Sequence, residues 1–343
     1  MKTIEAIGAE LQGYDPQALS VSMVNAFLAQ LVTPLTDTER VGIFDALGRV
    51  LAQDVISPIS VPPHDNSAMD GFAFNGAALV SQTPLSLKVL GTALAGKAWA
   101  GTVQANECVK IMTGAIVPAG LDTVVPQEFV TLNGDAITVP AGLLQAGDNR
   151  RKLGEDLMQG QAALQKGELL KPAAMGLLAS LGISEVLVFR KLRVAYFSTG
   201  DEILSLGEAP REGAVFDSNR YTVWGLLTRM GCEVIDMGVV RDEPALLEAA
   251  FLQAASQADA IITSGGVSVG EADYTKAMMK KLGDVAFWRI AMRPGRPMAV
   301  GRIINAKSAS SALLASLSSS QNMSNVSSDA AVLFGLPGNP VAV

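Results

Sequence analysis

The sequence predicts a multidomain α/β protein. A doubly wound, mostly parallel α/β domain follows a helix-containing N-terminal domain that carries a small inserted β domain. Three observations lead there. At 343 residues the chain exceeds one ordinary core. From residue 191 onward, apolar runs alternate with amphipathic stretches, and unmixed apolar strands between helices mark a parallel sheet covered on both faces. Between residues 60 and 148, short β-prone pieces are separated by Gly, Pro and Asn-Gly turns.

In chain order, "PQALSVSMVNAFLAQLV" places Leu19, Met23, Phe27, Leu28 and Leu31 at helical spacing, and Pro34 closes it. A second periodic stretch, "ERVGIFDALGRVLAQDV", stops before Pro58. The pieces "LSLKVLG", "ECVKIMTG", "TVVPQEFVTL" and "AITVP" read as strands, with a turn at Asn133–Gly134. Helical character returns around 172–181. Residues 1–59 and 149–190 are therefore expected to form one discontinuous domain, with 60–148 inserted as the β-rich domain and 191–343 as the α/β domain. Within the last, strands "LRVAYF", "CEVIDMGVV", "ADAIITS" and "VAFWRIA" alternate with helices "SNRYTVWGLLTRMG", "PALLEAAFLQAASQ" and "EADYTKAMMKKLG". Residues 307–330 hold ten serines in 24 positions between two apolar strands and read as a disordered insertion.

Composition narrows the function classes. A net charge of −7 argues against nucleic acid as the partner. No apolar run reaches the ~18–20 residues that span a bilayer, and the first residues lack the apolar stretch of a signal peptide. Cys108 and Cys232 stand far apart, outside any metal-ligand spacing, and read as two reduced thiols of a cytoplasmic protein. Without a His/Cys cluster, zinc is not expected.

Ligands of doubly wound sheets bind beyond the carboxyl ends of the strands, and three such ends carry polar chemistry. "TSGGVSVGEADY", 263–274, offers Ser264, Gly265, Gly266 and Ser268 before a helix, a backbone cradle for an anion. It lacks the lysine of a phosphate-binding P-loop, with Glu271 in that place; a plain strand-to-helix turn is the competing reading. Glu271 suits a helix start, while Asp273 fits either that role or a Mg²⁺ ligand. "STGDE", 198–202, repeats the arrangement with Thr199, Gly200, Asp201 and Glu202. Asp242 and Glu243 follow a third strand end, where first-turn acids of a helix compete with a metal role. Together the acids suggest an oxygen-rich divalent cation site.

Arg289, Arg293, Arg296 and Arg302 lie within "WRIAMRPGRPMAVGR" with no acid among them. The central pair, Arg293 and Arg296, sits on a stiff Pro-Gly turn suited to bidentate oxyanion contact, with surface arginines on a strand edge as the competing reading. His64, the only histidine, has no relay partner nearby and is not read as catalytic; Asp65, Asn66, Ser67 and Asp70 form a polar turn around it.

"HDNSAMDGFA", "IMTGAIVP", "RRKLGED", "FSTGDE", "SGGVSVGEADY", "RPGRP" and "GLPGNPV" occur here in one order. From about residue 18 to the last residue, the serine-rich segment apart, that order resembles the molybdopterin molybdenumtransferases, the molybdenum insertase family that includes bacterial MoeA and the gephyrin E domain. The resemblance implies a molybdopterin-binding-like α/β domain. It also implies Mg²⁺-dependent cleavage of adenylylated molybdopterin, with molybdate insertion and release of AMP. A cytoplasmic homodimer with its site between subunits is implied as well, and a molybdopterin adenylyltransferase as a partner. By motif, Asp273 and Ser268 belong to the adenylate-cleaving centre, and Glu202, Asp242 and Asp273 to the Mg²⁺-linked acids. Arg293 and Arg296 match the basic pair near molybdate, and Pro337, Gly338 and Asn339 a substrate-binding turn. Asp70 and Thr113 would come from the partner subunit.

Arginines at 289, 293 and 296 replace common family lysines, and Ala342 stands where many members have serine. The family continues past "GLPGNP" into a helix and a small C-terminal β domain, so a sequence stopping at Val343 reads as a fragment or an early stop. Two other functions compete: a non-catalytic molybdopterin-binding scaffold, and a molybdopterin adenylyltransferase. The latter has no need of "DNSAMDG" and "IMTG".

Overall fold

The structure, a computed structural model, describes residues 2–267, 274–305 and 330–343. The expected serine-rich insertion lies outside these apart from Ala330, and so do Ser268, Glu271 and Asp273. The chain divides into two compact units, one of Met1–Thr38 with Phe189–Val343, the other of Glu39–Val188.

The first unit is built on a six-stranded mixed sheet. Its order is Glu233–Val240, Arg193–Thr199, Ala260–Ser264, Ala330–Leu336, Pro297–Ile304 and Gly283–Arg289. The first four strands run parallel, and the last two join as an antiparallel extension. Helices cover both faces, as doubly wound α/β structure requires. Phe251 and Ala254 of Pro244–Gln257 and Met279 of Tyr274–Leu282 pack on Phe197, Ile261 and Leu333. On the opposite face Val223 and Leu227 of Ser218–Arg229 pack on Val194 and Tyr196. Proline at the start of Pro244–Gln257 and the Asp217 side chain accepting from the Arg220 amide at 3.1 Å mark where two of these helices begin.

The N-terminal helices differ from the expected domain division. Ile4–Glu10 and Val21–Leu31 belong with the α/β unit, not with residues 149–190. Their apolar face, with Ile7, Phe27 and Leu31, meets Trp288, Ile290 and Val300 of the antiparallel extension. Phe27 lies edge-on to Trp288, with ring centroids 4.8 Å apart. Arg302, nine-tenths buried, donates to the Lys2 and Leu31 carbonyls at 2.8 and 2.7 Å. It is therefore a structural tie, and burial pulls its pKa down.

The second unit carries a six-stranded sheet ordered Thr123–Pro126, Gly71–Phe74, Glu107–Ile111, Leu85–Ala93, Ala136–Val139 and Thr131–Asn133. Gly134, at φ +64°, turns the last hairpin. Beside it, Leu51 and Val55 share a core with Leu164, Leu178 and Val186. The periodic stretch "ERVGIFDALGRVLAQDV" forms no α-helix. Thr38–Gly42 is a strand and Ile43–Asp45 a short 3₁₀ turn. Gly48, at φ +74°, breaks the helical phase just beyond.

Candidate ligand pocket at the strand ends

In the α/β unit the carboxyl ends of three neighbouring parallel strands lead into turns that share one cavity of about 510 Å³. Arg193–Thr199 delivers Thr199, Gly200 and Glu202 to its wall; Ala260–Ser264 delivers Gly265 and Gly266; Ala330–Leu336 delivers Pro337, Gly338 and Asn339. Arg293 and Arg296 enter from the turn between the antiparallel strands, and Asp242 from the end of Glu233–Val240. Five chain segments far apart in sequence thus line one space, and three of them bring two guanidinium groups and two carboxylates to it. Glycine-rich turns form the floor.

The floor depends on glycine. Gly265 has φ +94°, and a Cβ there would collide with the Thr199 carbonyl oxygen and stand 2.8 Å from Thr199 Oγ1. Its amide donates to the Leu336 carbonyl at 3.1 Å, stitching adjacent turns together. Thr199 Oγ1 itself is buried with no hydrogen-bond partner among the described residues. A buried hydroxyl at a cavity wall is costly without a partner, and a ligand oxygen would satisfy it.

Two expected substrate residues stand back from the cavity. Ser264 is buried, and its hydroxyl joins those of Tyr196 at 2.8 Å and Ser198 at 3.1 Å. Burial raises the Tyr196 pKa, so this cluster stays neutral. Asp201 turns sideways, with Oδ1 accepting from the Asp242 amide at 3.4 Å and its carbonyl from Arg211. Of the four clustered arginines only Arg293 and Arg296 reach the cavity. Arg289 clips the N-terminal segment, its carbonyl accepting from the Leu19 amide at 3.0 Å.

Asp70 and Thr113 lie in the second unit and bind one another. Thr113 donates its amide and its hydroxyl to Asp70 Oδ1, each at 2.7 Å. The amide first and the hydroxyl second hold the Asp70 carboxyl below the usual carboxylate range. Nearby, Asp65 accepts from the Leu153 amide at 2.8 Å and lies 3.3 Å from Arg150.

No group of three acid, His or Cys side chains close enough to hold a metal occurs among the described residues. The carboxylates of Glu202 and Asp242 and the Thr199 hydroxyl are nonetheless hard oxygen donors lining the same cavity, the chemistry that Mg²⁺ prefers.

Sequence reasoning missed Asn219, which donates from Nδ2 to the Gly338 carbonyl at 2.9 Å. It sits inside a stretch readable only as a helix, so no local signal marked it.

Fold and site define an α/β protein with a polar ligand pocket at the carboxyl ends of its parallel strands. The family described as MoeA N-terminal region (domain I and II) matches residues 19–182, and the probable molybdopterin binding domain matches residues 195–343. A molybdopterin molybdenumtransferase of Haemophilus influenzae is 47% identical over 315 residues, covering 92% of this chain and 71% of the relative. Another, from Bacillus subtilis, is 33% identical, covering 89% and 67%. The crystal structure of a molybdopterin biosynthesis MoeA protein from Pyrococcus horikoshii superposes with a TM-score of 0.74 at 30% identity, covering 95% of this chain and 76% of that one. The chain belongs to the molybdopterin molybdenumtransferase family. No helix among the described residues is long and apolar enough to cross a membrane.

Proposed function

We propose that this chain inserts molybdate into adenylylated molybdopterin in a Mg²⁺-dependent reaction that releases AMP. The observation that carries the reading is the meeting of Arg293 and Arg296 with Glu202 and Asp242 around one glycine-floored cavity. The two guanidinium forks bind the molybdate dianion, each able to offer paired N–H donors. Gly265, Gly266 and Gly338 let the phosphate end of the adenylate approach the backbone, and Thr199 Oγ1 donates to one of its oxygens. Glu202 and Asp242, with Asp273, would hold Mg²⁺, which when bound neutralises charge on the phosphates. Ser268 and Asp273 are assigned by motif to the adenylate-cleaving centre. In the same reading the protein is a cytoplasmic homodimer, and Asp70 with Thr113 of a second copy completes the site.

The test is to incubate the full chain with adenylylated molybdopterin, molybdate and Mg²⁺ and to follow AMP. Release is expected to need both ions and to fall sharply in Asp273→Asn. Arg296→Ala is expected to raise the molybdate requirement by roughly ten- to a hundredfold, the worth of a charge-assisted hydrogen bond. AMP release that ignores molybdate and Mg²⁺, or that persists in Asp273→Asn, sinks the assignment.

A further inference from the structure

The turn Pro337–Asn339 forms one wall of the cavity. Its own hydrogen bonds are local: Asn339 Oδ1 accepts from the Val341 amide at 3.0 Å, and the Asn339 carbonyl from the Ala342 amide at 2.8 Å. These shape the turn without fixing its place above the sheet. Besides the Gly265 amide on the Leu336 carbonyl just before the turn, the outside tie among the described residues is Asn219. The residue is more than nine-tenths buried, and Nδ2 donates to the Gly338 carbonyl across 119 residues of sequence at 2.9 Å. Gly338 in turn abuts the glycine floor, since a Cβ on it would sit 3.7 Å from Gly265 Cα.

Asn219 is itself held in place. It lies in the first turn of Ser218–Arg229, behind Asp217, which is buried and caps that helix. The residues just before run parallel to the segment bearing Glu202: Val215 pairs with Ile203, and the Val215 amide donates to the Glu202 carbonyl at 2.9 Å. One short stretch, 215–219, therefore grips the backbone of an acidic wall residue at one end and the opposite turn at the other. Gly338 is exposed and the bond part-buried, so removing the amide donor leaves the Gly338 carbonyl to water and the turn without this tie.

We propose that Asn219 is a positioning residue for the cavity: through the Gly338 carbonyl it sets where the Pro337–Asn339 turn stands against the glycine floor, and thereby the affinity for the oxyanion. It acts through that turn and does not touch the ligand. The inference rests on the oxyanion reading of the cavity for its effect on affinity, and on geometry alone for its effect on the turn.

The experiment uses the full chain with Asn219→Leu and Asn219→Asp, which keep the side-chain size and remove the donor. Hydrogen exchange followed by mass spectrometry should show faster exchange at residues 337–343 in both variants, by roughly five- to tenfold, the scale of one lost hydrogen bond. The central strands Arg193–Thr199 and Ala260–Ser264 should stay as protected as in the wild type. Equilibrium dialysis against molybdate alone should show a Kd raised by roughly the same factor. Unchanged exchange at 337–343 overturns the proposal, and so does a loss of protection spread evenly over the sheet. So does an unchanged Kd where the wild type binds. Failure of the wild type to bind molybdate counts against the oxyanion reading instead, and the exchange pattern then decides the placement of the turn.

Discussion

Thr113 directs two donors, its backbone amide and its hydroxyl, to a single oxygen of Asp70. The carboxylate is solvent-facing, so its low pKa comes from these donors and not from burial. A depressed carboxyl contributes stability that is full above the unfolded value, about 3.9, and lost as pH falls through the folded one. Thr113→Val removes the hydroxyl and keeps the amide. The Asp70 pKa, followed by carbon NMR of the side-chain carboxyl, is expected to rise part of the way to its ordinary value. A pKa that does not move would show that the hydroxyl contributes nothing.

Gly265→Ala forces an L side chain to φ +94° against the Thr199 backbone. Strain of this kind costs about 1–3 kcal/mol, readable as a lower urea midpoint. Because the same turn is the cavity floor, AMP release should fall at least about tenfold, each 1.4 kcal/mol of lost contact being worth that factor. A variant with unaltered midpoint and activity would mean that the floor has another conformation.

Arg190 binds Asp259 through its two terminal guanidinium nitrogens, at 2.6 and 2.7 Å, and its Nε reaches Asp37 at 3.0 Å. Burial alone would raise the Asp259 carboxyl, but the Arg190 fork and the Arg193 amide outweigh it and hold the pKa down. The pair is partly open to water, so Arg190→Met is expected to cost about 1.5–3 kcal/mol at neutral pH and not the larger penalty of a fully buried charge. The sign of the pH effect follows: the contribution is present above the unfolded carboxylate value and fades as pH falls through the folded one. Urea midpoints of variant and wild type should therefore converge in acid; a constant gap down to about pH 2 would assign the loss to packing instead.

Much of the α/β unit was legible in sequence. "PALLEAAFLQAASQ" matches the helix Pro244–Gln257 residue for residue, because proline at its start and an apolar face at 3.6-residue spacing are local signals. The glycine turns after "YFST" and "IITS" marked two of the strand ends that meet at the cavity, because only special backbone conformations call for such turns.

What the chain order alone determined was the run of elements, the glycine turns at strand ends and the family motifs. Tertiary structure alone decided which surfaces and which charges meet. Periodicity says that Phe27 and Leu31 share an apolar face, but not that the face rests on Trp288. Arg293 and Arg302 look alike in one basic run, yet one lines the cavity and the other is buried against the Leu31 carbonyl. Asn219 looked like an ordinary helix residue until the Gly338 carbonyl came within 2.9 Å. The physical reason is the same in each case. Backbone preference and amphipathic period are properties of neighbours in sequence, whereas a partner for a buried donor, a charge or an apolar face is supplied by whatever the closed chain brings there.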